Sequence, residues 1–215
     1  MTEPAPANAA ILVADRSGSM KAILTNTVIS LNEYIDGLRS QSDVTFTMIR
    51  FDTVSTDVVH RRVRVAEVPA LTPADIEPRG GTPLIDAVAI AIATAKQEYA
   101  DTDRVVIVAM TDGLENASRG YTLAQLHDLI KERAAVGWEF IFLGASIDAY
   151  RDSGRFGIAS ASAMSYDAMD LGASRSAYRS AARRSSEYFS TGASPSFSDD
   201  EKRAAGDKFI PTRRS

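Results

Sequence analysis

The chain has 215 residues, 45% of them hydrophobic and 24% charged, with a net charge of −4; that is enough for one substantial core, in proportions ordinary for a globular protein. It contains no cysteine, which excludes disulfide frameworks, thiolate zinc sites and cysteine nucleophiles, and no apolar run is long enough to span a bilayer as a helix. Residues 1–150 carry 13 Lys+Arg against 20 Asp+Glu, net −7, while residues 151–215 carry 11 against 8, net +3, so the main body has no electrostatic attraction for nucleic acid.

Residues 1–8 hold an acid and two prolines and no basic stretch feeding an apolar core. They read as a flexible lead-in rather than a secretory signal, and with the missing cysteines they give the expectation of a cytoplasmic protein. Ala9–Asp15 is a near-continuous apolar run, the pattern of a strand buried on both faces. Met20–Leu38 has helical period, with Ile23, Leu24, Val28, Leu31, Tyr34, Ile35 and Leu38 on one face and Gly37 near the end. Val44–Phe51 alternates as a strand, and Ser55–Val65 is β-rich, its Arg61-Arg62-Val63-Arg64-Val65 polar enough for a sheet edge. A proline-containing loop, Pro69 to Gly81, leads into a helix over Thr82–Tyr99 with Pro83 in its first turn.

Arg104–Thr111 predicts a second buried strand, ending at Asp112-Gly113. Leu123–Val136 predicts a helix closed by Gly137, and Trp138–Gly144 a third buried strand. Asp148–Phe156 reads as a short helix and Ile158–Met164 as a last short strand. From residue 165 the composition turns to Ser, Ala and Arg. Within 165–189, Asp170–Phe189 predicts a basic, solvated helix packed lightly on the domain; residues 190–215, with few large apolar groups, are expected to be disordered.

Strands alternating with helices predict an α/β fold over residues 9–164: a doubly wound, mostly parallel Rossmann-like sheet with one antiparallel edge strand and helices on both faces. Ligands of such sheets gather at the carboxyl ends of the strands, where strand order reverses. Asp15 and Asp112 both fall at that edge.

Taken alone, Asp15-Arg16-Ser17-Gly18-Ser19 has two readings: Asp15 and the serines cap the following helix, or they offer hard oxygen donors to Mg²⁺, Mn²⁺ or Ca²⁺. Two further loops, Gly80-Gly81-Thr82-Pro83-Leu84 and Thr111-Asp112-Gly113, converge on the same edge and bring the set to two carboxylates and three hydroxyls. The set resembles the von Willebrand factor A domain, whose metal-ion-dependent adhesion site has the pattern Asp-x-Ser-x-Ser, then Thr, then Asp; the resemblance spans about residues 9–160. It implies that Ser17, Ser19 and Thr82 hold a divalent cation, Mg²⁺ in first place with Mn²⁺ or Ca²⁺ as alternatives, and that Asp15 and Asp112 act directly or through water. It also implies a non-catalytic, cytoplasmic binding module of the small stand-alone bacterial or phage type. Its partner protein would supply a Glu or Asp to the metal, as in assemblies built around an ATPase. Two other classes stay open: a Mg²⁺-dependent phosphoester hydrolase borrowing Asp52 or Glu115, and a structural component of a phage or secretion assembly.

Other residues near the loops carry double readings. Asp86 either holds a metal-bound water or bonds a neighbouring loop; Asp52 reads as a turn residue first. Glu115 and Asn116 line the rim or only shape a turn, and Arg16, between inward-facing neighbours, is expected to face outward. Trp138 reads as packing. The two histidines, His60 and His127, have no pattern linking either to the site, so a general base is lacking.

Overall fold

A computed structural model describes residues 6–210. Its strands are β1 (Asn8–Asp15), β2 (Val44–Phe51), β3 (Thr56–Arg64), β4 (Arg104–Thr111), β5 (Glu139–Ala145) and β6 (Ala163–Tyr166). They form one sheet in the order β3-β2-β1-β4-β5-β6, parallel throughout except for β3, which runs antiparallel at one edge. The helices are α1 (Leu24–Leu38), α2 (Leu84–Glu98), α3 (Leu123–Ala135), α4 (Ala149–Phe156), α5 (Leu171–Thr191) and α6 (Asp199–Ala204).

The strands divide their side chains between two cores, which explains their nearly unbroken apolar sequences. Ala10, Leu12 and Ala14 of β1 join Val106, Val108 and Met110 of β4 against α1 and α5. The alternate residues, Ala9, Ile11 and Val13 with Val105, Ile107 and Ala109, pack against α2, α3 and α4. Strand order reverses between β1 and β4, so the chain opens a crevice at the carboxyl ends of these two neighbours. Asp15 closes β1 there and Asp112 follows the last residue of β4.

Several elements differ from the sequence expectation. The helix expected from Met20 begins as a 3₁₀ segment, Gly18–Ile23, and becomes α-helical only at Leu24. Pro83 lies just outside α2 as its N-cap, because the loop must first lay Thr82 into the crevice. The last strand lies later than Ile158–Met164: Ser160–Ser162 form a 3₁₀ turn, and Ala163–Tyr166 pair with Phe142–Ala145.

The expected light packing of the 165–189 segment is wrong. Helix α5 lies along α1, burying Ala177, Tyr178, Ala181, Ala182 and Phe189 in the core. The approach is so close that a Cβ on Gly37 of α1 would come within 2.6 Å of Ala182 Cβ. The arginines do not make a free basic face, since Arg175 pairs with Glu33 and Arg183 with Glu201. Nor is 190–210 disordered. Ser198 and Glu201 form a reciprocal capping box that starts α6, Phe197 and Ala205 are buried, and the Asp167 N–H donates to Ala205 O at 3.0 Å. Phe197 and Ala205, the buried stems of Glu201 and Lys202 and one capped turn dock a segment whose average composition is polar. Residues 1–5 of the expected lead-in and 211–215 of the expected tail lie outside the described residues.

Candidate metal centre

The three loops meet in the β1/β4 crevice. Asp15 is fully buried at the end of β1; one carboxylate oxygen accepts the Ser17 N–H at 2.6 Å and the other the Thr111 hydroxyl at 2.5 Å. Ser17 Oγ lies 3.0 Å from Ser19 Oγ, and Ser19 Oγ donates to Asp112 Oδ1 at 2.7 Å. Thr82 arrives from the opposite side: a Cβ built on Gly113 would stand 3.2 Å from Thr82 Oγ1 and 3.9 Å from Ser19 Oγ, so both hydroxyls border the same point. All five expected site residues therefore converge. Among the described residues no three His, Cys, Asp or Glu side chains cluster to hold a metal, so any cation here depends on the hydroxyls as well as the two acids.

Backbone hydrogen bonds staple the loops to one another. Gly18 N–H donates to Gly80 O at 3.0 Å and Arg79 N–H to Arg16 O at 2.8 Å. The glycine that the geometry requires is Gly80, whose φ of +66° favours a residue without Cβ and whose Cβ would collide with Thr53 Oγ1. Gly18 has no such constraint, since a Cβ there would meet Gly80 O at an ordinary 3.4 Å.

Electrostatically the centre is short of positive charge. Burial pushes the Asp15 carboxyl up to about 6, against the hydrogen bonds from Thr111 and Ser17, and the charge of Asp112 adds to the rise. Burial also raises Asp112, opposed by Ser19 and Ser17. Two desolvated acids sharing a crevice with hydroxyl oxygens are a donor set that a hard divalent cation would satisfy, because it supplies the missing charge.

The surrounding residues mostly hold the loops in place. Arg16 does not face outward as expected; it is buried and turned back into an ion-pair clasp, with Nε 2.7 Å and Nη2 2.8 Å from the carboxylates of Asp52 and Asp57. Asp52 also receives Arg79 Nε at 2.8 Å and the N–H groups of Val54 and Ser55. Burial opposes ionisation of Asp52, yet the hydrogen bonds from Arg79, Val54 and Ser55 and the charge of Arg16 hold its carboxyl below the usual range. Asp52 thus ties Arg16, inside the Asp15–Ser19 loop, to Arg79, three residues before Thr82. Sequence reading missed Arg79; nothing in its spacing singles it out.

Asp86 accepts the N–H groups of Arg119, Gly120 and Tyr121. Glu115 accepts those of Ala117, Ser118 and Ile85, closing the start of α2. Asn116 exchanges hydrogen bonds with the Thr82 backbone, its Oδ1 accepting at 3.0 Å and its N–H donating at 3.2 Å. His60 sits on β3 facing Met48, and His127 on α3 against Gly157, neither at the crevice.

Comparison with solved structures places this architecture. The chain is similar to a von Willebrand factor type A protein from Catenulispora acidiphila, with a TM-score of 0.63 and 16% identity over 84% of this chain and 43% of that one. It is also similar to the pilus adhesin SpaC from Lactobacillus rhamnosus GG, with a TM-score of 0.69 and 13% identity over 87% of this chain and 31% of that one. The PilB minor pilin from Streptococcus sanguinis gives a TM-score of 0.60 and 14% identity over 90% and 65% of the respective chains. The chain spans less than two thirds of each of these proteins. No protein-family model and no curated protein matches the sequence. The likeness establishes the fold: a mostly parallel, doubly wound α/β domain of the von Willebrand factor A type.

Proposed function

We propose that this protein is a metal-dependent binding module. Ser17, Ser19 and Thr82 would hold a divalent cation through their hydroxyls, with Asp15 and Asp112 acting directly or through water. A carboxylate from a partner protein would complete the coordination. The observation that carries this reading is the convergence of three hydroxyls and two desolvated acids at the switch point of the sheet. Two carboxylates bring the site close to neutral; where they act through water, the hydroxyl ligands leave the open face of the bound cation electrophilic, so that it attracts an outside acid. Mg²⁺ suits a small all-oxygen set best, and Mn²⁺ would substitute.

Binding is favoured over catalysis by what surrounds the crevice. Asp52 and Glu115, the acids a phosphoester hydrolase would need, are engaged by guanidinium or N–H donors, and neither histidine is near. Neighbours that include a pilus adhesin and a minor pilin point the same way. No helix among the described residues is long and apolar enough to cross a membrane. The family resemblance and the absence of cysteine favour a cytoplasmic module of the small stand-alone bacterial or phage type, with an ATPase-associated complex as one partner.

Thermal melts in Mg²⁺ and in EDTA test the reading. Saturating Mg²⁺, at about a hundred times Kd, should stabilise the protein by about 2.7 kcal/mol, some 5–10 °C for a domain of roughly this size. Asp112→Ala should remove the shift while leaving the melting point in EDTA unchanged or higher, because it relieves repulsion with Asp15. A shift that survives Asp112→Ala, or none in the wild type, refutes the proposal.

A further inference from the structure

A cleft of about 380 Å³ opens between the Asp52–Thr56 turn and the Ala117–Tyr121 loop, lined as well by Pro83 and, from α2, by Asp86 and Ile90. None of Asp15, Ser17, Ser19, Thr82 and Asp112 lines it, so it is separate from the candidate metal centre. Its volume falls within the range of small-ligand pockets.

The acids of the lining hold both walls in place. Asp52 accepts the N–H groups of Val54 and Ser55 and pairs with Arg16 and Arg79. Across the cleft, Asp86 accepts the N–H groups of Arg119, Gly120 and Tyr121. Walls fixed in this way form the pocket before any ligand arrives, and carboxylates so engaged have little acceptor capacity left to offer one. Two guanidinium groups also outweigh the single charge of Asp52, so that wall adds no net negative charge.

What remains on offer is carbon surface and one cation. Val54 is 68% exposed in its turn, and Pro83, Ile90, Ala117 and the half-buried ring of Tyr121 supply further apolar lining. A single exposed valine needs no explanation, but this one borders a preformed cleft. Arg119 is the only basic residue of the lining, exposed and in no ion pair among the described residues. A guanidinium is a planar fork of donors that matches the two oxygens of a carboxylate.

We propose that this cleft binds a small organic acid, its apolar body lying against Val54, Ile90 and Tyr121 and its carboxylate pairing with Arg119. The proposal does not depend on a cation in the β1/β4 crevice and stands or falls separately from the metal-dependent reading.

The test is made in EDTA, so that no cation can recruit the acid elsewhere. Amide signals of the isotopically labelled 215-residue chain are followed by NMR during titration with phenylacetate, with the uncharged phenylacetamide and with phenethylamine. Phenylacetate should shift the signals of Val54, Thr56, Arg119, Gly120 and Tyr121 saturably, and bind at least about tenfold more tightly than the amide. Arg119→Gln should bring acid and amide to equal affinity, and Val54→Ser should weaken both, with the signals of the two cores unmoved in either variant. Absence of saturable shifts at these residues, equal binding of acid and amide by the wild type, or a preference that Arg119→Gln retains overturns the proposal. Tighter binding of the amine would give the charge recognition to Asp86 and overturn it as well.

Discussion

Asp52 shows how a residue outside the motif governs the site. Its carboxylate is sealed from solvent and held by two guanidinium groups and two N–H groups, and both arginines belong to loops that carry expected metal donors. Removing one partner of a buried, hydrogen-bonded ion pair is costly, because the other charge stays buried. Asp52→Asn should therefore lower stability by about 3 kcal/mol, whereas Asp57→Asn, whose side chain is 39% exposed, should cost less than about 1 kcal/mol. Chemical denaturation in EDTA compares the two, and equal losses would show that Asp52 is not the clasp. The motif residues were legible because each ligand type sits at a strand end or just before a helix. The direction of Arg16 was not. Side-chain alternation holds within a strand, but Arg16 lies one residue past β1, its N–H still bonded to Phe51 O, and its side chain runs to Asp52, the residue that follows Phe51.

At the level of elements, apolar periodicity identified every long strand and helix, because β1, β4 and β5 are covered on both faces and α1 and α2 on one. It did not show how closely an element docks where the packing uses small or charged residues. Helix α5 buries alanines and serines that look solvated by composition, and α6 is signalled only by Ser198-Asp199-Asp200-Glu201, a capping-box spacing that average polarity hides. Glu201 serves both as cap and as the anchor of α6 to Arg183 and Arg184 of α5. Burial works against its charge, but hydrogen bonds from Arg184, Ser198 and Arg183 lower its carboxyl from 4.5 to about 2. A carboxyl lowered on folding stabilises the protein above its unfolded value, and that stability is lost as pH falls from about 4.5 towards 2. Glu201→Gln should therefore flatten the fall in melting temperature over this window and leave the 194–209 segment with faster hydrogen exchange at neutral pH. A pH profile that matches wild type would mean that the anchor contributes nothing.

For the whole molecule, the candidate site lies where strand order reverses. The strand order runs outward in opposite directions from β1 and β4, and the loops after these two strands meet the loop before α2 at their carboxyl ends. The alternation of elements made the sheet and the crevice readable from sequence, since each strand's apolar run and each following helix fix the winding. The central claim is that Ser17, Ser19, Thr82, Asp15 and Asp112 form one cation site. Calorimetric titration of Mn²⁺ into the chelator-treated 215-residue chain is the decisive measurement. One saturable site per chain is expected, weakened at least about tenfold, or 1.4 kcal/mol, by Thr82→Ala with the circular dichroism spectrum unchanged. Absence of saturable binding, or a titration that Thr82→Ala leaves unaltered, would contradict it.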